Sequence, residues 1–242
     1  MLLVSLYIMV IIGFFRKGDF MNIHSKNELK KYQRIDDNFG SGAKIYKINN
    51  LEVLKIFRNI LSSSIQDRFN YFKNIKANYF AFPTDNLYIN NKLYGYKMDY
   101  KEGKMFNVLE DNILIKDLIY SLKKLDRDLH ILDENNIKIF DLHGFNILYN
   151  EQNNEINIID VDEYGLYSKN TYLYNLKAVI NRIIRYLQLR EFNLDKVYDI
   201  NSFINEFNNE INRLQEICKF EIETKSDIKI YNNLYIKSKH II

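Results

Sequence analysis

The sequence predicts an α+β protein of two lobes, a small antiparallel-sheet first half followed by a mainly helical second half. Three observations carry this. In the first hundred residues, two stretches of strand-forming side chains are folded around Asn-Asn pairs, the mark of β-hairpins. From residue 115 the period changes, and Leu118, Leu122, Leu125, Leu129 and Leu132 recur every three or four positions, as one face of a helix does. The chain has 242 residues, 47% of them hydrophobic, and one cysteine, Cys218, so it must rest on its own core without an internal disulfide or a cysteine-based zinc site.

Residues 1–15 are nearly all apolar, with Arg16-Lys17 after them. That run is shorter than the roughly 18–20 residues of a membrane span. A signal peptide has its positive charge before the apolar stretch, not after it. Arg-Lys-Gly-Asp-Phe-Met, residues 16–21, can be encoded by AGG AAA GGA GAT TTT ATG, a bacterial ribosome-binding site ahead of a start codon. A translated leader with Met21 as the start is the reading that follows. A membrane-tethering segment and an ordinary structural element are its alternatives, and membrane contact is expected only if residues 1–20 are retained.

Residues 43–57 read as the first hairpin, with strands at 44–48 and 51–57 and Asn49-Asn50 in a turn that tolerates positive φ. Residues 62–75 follow as a helix with Ile65, Phe69 and Phe72 at helical spacing. A second hairpin spans 87–98 around Asn90-Asn91, and a long helix covers 115–132. Short strands at 147–149 and 156–159 bracket a polar turn, and helices resume at 176–189 and 202–220. Residues 228–236 are expected to close the chain as a hairpin around Asn232-Asn233.

Composition narrows the function classes. A net charge of +3 gives no electrostatic case for nucleic acid as a partner. Four scattered histidines offer no metal-ligand spacing, and the cysteine usage suits a cytoplasmic protein. Chemistry concentrates in four places. Gly40-Ser41-Gly42 precedes the first strand, where glycines let backbone N–H groups approach a phosphate, though such a turn is also ordinary. Lys55 shares a strand face with Val53 and Phe57, which suits either a solvated outer face or a cation neutralised by phosphate. Asp141 and Asn146 lie between two apolar strands, and Asp160 ends the second of them. Each aspartate alone could cap a turn. Together the three supply oxygen donors at adjacent strand ends, as a Mg²⁺–phosphate site requires.

In this order the four places resemble the protein-kinase-like fold shared by protein kinases and by aminoglycoside and choline phosphotransferases. The resemblance spans residues 40–189, and the five-residue step from Asp141 to Asn146 is that of the kinase catalytic loop. It implies lobes at 21–98 and 104–242 joined by a hinge at 99–103. It implies ATP and Mg²⁺ as cofactors and a hydroxyl-bearing acceptor, protein or small molecule. Gly40 and Gly42 would cover the phosphates and Lys55 would grip them. Ile45 and Val53 would pack on adenine, Met98 would be the gatekeeper, and backbone groups around Asp99 and Tyr100 would hydrogen-bond the base. Asp141 would take or orient the acceptor proton, and Asn146 and Asp160 would hold the metal.

The sequence also departs from that pattern. The glycine loop lacks a third glycine, and no glutamate lies between Glu52 and Glu102 to pair with Lys55, which leaves Gln66, Asp67 or Asn70, with Asp67 favoured for its charge. Ile139-Phe140 stands where protein kinases have His-Arg, and Val161-Asp162 where they have Phe-Gly. His143 fits the Asp-x-His-x-x-Asn form of small-molecule phosphotransferases, as a residue bracing the loop. Asp162 is either a further ligand or a solvated turn residue. The short stretch from Asp160 to Asn175 leaves no room for an extended peptide-docking segment. The implied activity is ATP-dependent phosphoryl transfer to an alcohol. A pseudokinase that binds nucleotide or acts as a scaffold is the alternative.

Overall fold

A computed structural model describes residues 21–23, 26–35, 42–167 and 170–239. Residues 1–20 and Gly40, and with them the leader reading and half of the glycine turn, lie outside these. The chain divides into two compact units. The first holds the described residues up to Asn74 together with Phe82–Tyr100, and the second holds Ile75–Ala81 and the described residues from Lys101 onward. The architecture is the expected one: an antiparallel sheet dominates the N-terminal part, and helices dominate the C-terminal part.

The first unit is a six-stranded sheet of β1 (Met21–Ile23), β2 (Gln33–Arg34), β3 (Ala43–Lys47), β4 (Glu52–Phe57), β5 (Pro83–Ile89) and β6 (Lys92–Asp99), in the order β1-β5-β6-β4-β3-β2. Only β1, which pairs with β5, is parallel to its neighbour. The hairpin β5–β6 turns through Asn90 and Asn91, both at positive φ, as its Asn-Asn pair demands. The β3–β4 turn works differently. Asn49 and Asn50 are not in the left-handed region. Instead the Asn49 side chain accepts the N–H groups of Leu51 and Glu52, an Asx turn.

Both faces of this sheet are covered. On one, Leu54, Ile56, Leu87 and Ile89 pack with Ile23 and with Leu29 from the 3₁₀ turn Lys26–Lys31. On the other lies α1 (Ser63–Phe72), which starts at the N-cap Ser62 and buries Phe69 and Phe72. Phe69 meets the Tyr96 ring edge-on, with centroids 4.8 Å apart. Strands β1 and β2, of three and two residues, are too short to show a period.

In the second unit, α2 (Ile115–Glu134) buries the five expected leucines completely. It packs beside α3 (Thr171–Leu187), and α4 (Ile200–Cys218) follows behind a reciprocal Asp199–Ser202 capping box. Strands β7 (Lys104–Met105), β9 (Ile147–Asn150) and β10 (Glu155–Ile158) form one small sheet, and β8 (Ile137–Lys138) pairs with β11 (Gly165–Leu166). Residues 75–81 extend the first of these through a parallel bridge from Phe80 to Ile158.

The expected closing hairpin is a helix, α5 (Lys225–Lys239). Asp227 opens it, its carboxylate accepting the N–H groups of Glu223 and Thr224 and the Thr224 hydroxyl. Ile228 and Tyr231 are buried at an i, i+3 spacing, and Lys225 and Lys229 reach Asp111 from adjacent turns. Asn232 donates to the carbonyl of Gln188 and forms no turn. An Asn-Asn pair read without its capping residues misleads.

One glycine fixes how β4 and β6 meet. Gly95 stands opposite Ile56, and a Cβ there would lie 1.9 Å from the Lys55 carbonyl oxygen. Gly95→Ala is expected to destabilise the protein by about 1–3 kcal/mol, as overpacking does, in urea melts. An unchanged melt would contradict the close approach.

Candidate active site

One group of candidate residues lies on one face of the six-stranded sheet of the first unit. Ile45, Lys55 and Tyr96 are lateral partners across three strands, and Val53 pairs with Met98 two residues away. Because side chains two apart on a strand share a face, Ile45, Val53, Lys55 and Met98 all project the same way. Lys55 is only 6% exposed, which removes the solvated reading, and its ammonium lies 5.3 Å from the Phe57 ring centroid. A lysine is rarely buried so far without an anion to meet it.

Asp67 is exposed and pairs with no group among the described residues, so the favoured helix partner for Lys55 is not in place. Gln66 donates to the Tyr88 hydroxyl, and Asn70 accepts from the buried amide of Asn86, so both are engaged with β5 instead. Gly42 has open space around its Cα. Asp99 is exposed at the end of β6. The N–H of Tyr100 donates to Leu51 at 2.7 Å, so it is not free to read a base, and the Tyr100 ring carries the Lys47 ammonium 4.3 Å from its centroid.

A separate group of candidate residues lies on two loops of the second unit. Asp141 has φ +53° and Asp160 φ +63°. Most other non-glycine residues at positive φ are asparagines in turns or residues capping helices, where that conformation is ordinary. At these two aspartates it is strain, and such strain collects at functional sites. Asn146 ties them together. Its Nδ2 donates to the Asp141 carbonyl at 3.0 Å, and its own carbonyl accepts the N–H of Ile159 at 2.9 Å. The Asp141 carboxylate is exposed, and His143 Nε2 lies 3.8 Å from it.

His143 does not brace the loop as expected. Its ring is 40% exposed, and its Nδ1 makes no hydrogen bond. The brace is Asn175, which the sequence reading passed over. This fully buried residue of α3 accepts the N–H of Ile139 (2.9 Å) and donates to the carbonyl of Ile137 (2.8 Å), holding the strand that leads into Asp141. An asparagine beside Leu176, Val179 and Ile180 on the apolar face of a helix was the available signal. Gly165 is a second omission: a Cβ there would meet the Phe140 ring at 2.8 Å. Asp162 is buried, 8% exposed, so it is not a solvated turn residue.

Tyr164 lies wholly buried. Burial, and then the charge of Asp160, push its phenol well above the ordinary tyrosine range. Asp128, 1% exposed on α2, accepts the N–H of Tyr79 at 2.6 Å and so fixes the segment that bridges to β10. Burial raises its carboxyl above the usual aspartate value, against the pull of backbone N–H groups from Tyr79 and Asn78.

Asn146 and Asp160 offer oxygen donors of the kind Mg²⁺ takes. With Nδ2 committed to the Asp141 carbonyl, Asn146 keeps Oδ1 as an acceptor, and Asp160 adds a carboxylate. A hard cation that takes one or two protein oxygens and completes its shell with phosphate and water matches this pair. Among the described residues no group of three or more His, Cys, Asp or Glu could hold a metal alone. No helix among them is long and apolar enough to cross a membrane.

No family model matches the chain. No curated protein matches it. Among solved structures it is similar to that of the Cydia pomonella granulovirus kinase PK-1, with 20% identity and a TM-score of 0.42. The match covers 58% of this chain, which spans 57% of the length of that one.

Two outcomes test this geometry. Asn175→Ala strips two buried main-chain groups of their partners, at about 1–3 kcal/mol each, and is expected to destabilise the second unit and speed amide exchange at Ile139. Asp128→Asn keeps an acceptor for Tyr79 and removes the buried charge. Since the folded carboxyl has a raised pKa, the stability it contributes is complete below the ordinary aspartate range and is lost as pH rises through the folded value. The variant is therefore expected to be at least as stable as wild type at pH 7, with the difference shrinking toward pH 4. A variant less stable at pH 7 would show that the charged form is the one the fold needs.

Proposed function

We propose that this chain is an ATP- and Mg²⁺-dependent phosphotransferase of the protein-kinase-like kind, transferring the γ-phosphoryl group of ATP to a hydroxyl. The observation that carries the reading is the coupling of Asp141 to Asp160 through Asn146, with both aspartates in left-handed backbone. The shared face of Ile45, Val53, Lys55 and Met98 supports it from the other unit. Residues 21–98 and 104–242 would act as the two lobes, with 99–103 as hinge.

In this reading Ile45, Val53 and Met98 form an apolar seat for adenine. Backbone groups of 99–103 other than the Tyr100 N–H read the base, with the Tyr100 ring beside it. Lys55 neutralises the α- and β-phosphates from its buried position, and Gly42, with Gly40, lets the chain pass close over them. Asn146 Oδ1 and the Asp160 carboxylate would hold the metal, which when bound supplies charge neutralisation across the phosphate oxygens. Asp141 orients the acceptor hydroxyl and takes its proton as the acceptor oxygen bonds to the γ-phosphorus. The bond from that phosphorus to the bridging oxygen breaks, ADP leaves, and the proton passes to solvent. Positioning and electrostatics do most of the catalysis, because the transition state is loose.

Thermal unfolding with ATP, with and without Mg²⁺, tests the nucleotide site. At a hundredfold over its dissociation constant the ligand should add about 2.7 kcal/mol, and Asp160→Asn should abolish the Mg²⁺-dependent part. Asp141→Asn should lower phosphoryl transfer by about 10²–10⁴-fold while ATP still shifts the melt. A folded wild-type protein unmoved by ATP would sink the proposal.

A further inference from the structure

The phosphotransferase reading leaves the acceptor's class open, and the charge beside Asp141 narrows it. Helix α3 has no acidic residue along its length and carries Lys177, Arg182 and Arg185. Arg182 lies seven residues after Asn175, close to two full turns, so both leave the helix from the edge that holds the Asp141 strand. Arg182 is half-buried, and Asp141 is the acidic group whose charge reaches it. Burial and the neighbouring Arg185 both work against its positive charge.

Among the described residues Arg182 forms no hydrogen bond and no ion pair. Arg213, a structural arginine of α4, shows the contrast, since it holds Glu191 and Glu210 at 2.9 and 2.8 Å. The surface around Phe140, just before Asp141, is cationic and aromatic. Lys138 lies over the rings of Tyr174 and Tyr167, which are 43% and 50% exposed, and Phe145 is 52% exposed in the Asp141 loop. Helix α3 offers no carboxylate to a polycationic acceptor. Two guanidinium groups one turn apart offer planar forks of donors matched to carboxylate or phosphate oxygens. The short segment between Asp160 and α3 leaves little for an extended peptide to dock on.

We infer that the acceptor is a small hydroxyl compound bearing its own phosphate or carboxylate, which Arg182 and Arg185 hold so that the hydroxyl meets Asp141. This rests on the phosphotransferase reading. The γ-phosphate of ATP is the other possible source of the anion, and the experiment separates the two.

Wild type, Arg182→Gln and Arg182→Lys are assayed with labelled ATP, Mg²⁺ and matched acceptors: ribose 5-phosphate against ribose, glycerol 3-phosphate against glycerol, and kanamycin as the polycation. The expected result is that wild type favours the anionic member of a pair by about tenfold or more in kcat/KM, the scale of one charge-assisted hydrogen bond. Arg182→Gln should lose that preference through the acceptor KM and melt no lower than wild type, and Arg182→Lys should fall between them. Transfer to none of the anionic compounds, or equal use of neutral ones, by a protein that still hydrolyses ATP overturns the inference alone. So does a raised KM for ATP with the preference intact, which gives the arginine to the nucleotide, or a lowered melting temperature with the acceptor KM unmoved, which makes it structural. A protein that binds no ATP overturns the phosphotransferase reading and this inference with it.

Discussion

Buried main-chain groups must find hydrogen-bond partners, and in the second unit two asparagines supply them where no strand or helix can. Asn175 gives one amide face to Ile137 and Ile139, in place of a neighbouring strand. Asn146 closes the gap between the loop at Asp141 and the strand end at Ile159. Without these contacts the loops could relax out of left-handed backbone, and the two carboxylates would lose their fixed relation. The strain at Asp141 and Asp160 persists because rigid neighbours over-determine it.

A second constraint works in the first unit. A cation on the inner face of a sheet disfavours burial, yet Lys55 is held there by lateral pairing with Ile45 and Tyr96. Gly95 makes the pairing tight, because a larger residue would strike the Lys55 carbonyl. Aromatic packing of Phe57, Phe69 and Tyr96 walls one end of this face, while its other end carries Val53 and Met98. Lys55 is thus enclosed on this face by apolar and aromatic side chains.

Much of this was legible in the residues. The leucine series of α2 and the Asn-Asn turn of β5–β6 follow from local rules, and each is found where the pattern places it. Asp141, Asn146 and Asp160 were expected at adjacent strand ends, and Asn146 bonds both the Asp141 carbonyl and the Ile159 N–H. What could not be read depended on distant contacts. Asn175 lies 34 residues beyond Asp141, and nothing local says which strand its amide will meet. Asp67 was favoured for its charge, but the helix face is set by Phe69 and Phe72, which turn Asp67 to solvent. The helix at 225–239 was missed because its cap, Thr224 to Asp227, outweighs an Asn-Asn pair that looks like a turn.

The segment 75–81 belongs to the second unit although the last two strands of the first unit's sheet, β5 and β6, follow it in sequence. It supplies the N–H that Asp128 accepts and the bridge to Ile158. During synthesis, then, the second unit cannot form from its contiguous residues alone; it must recover a segment made some fifty to eighty residues earlier. The two units are interleaved along the gene. A cut at residue 100 would leave the first unit whole and strip the second of residues 75–81, so any dissection of this protein by truncation has to carry that segment along with the second unit.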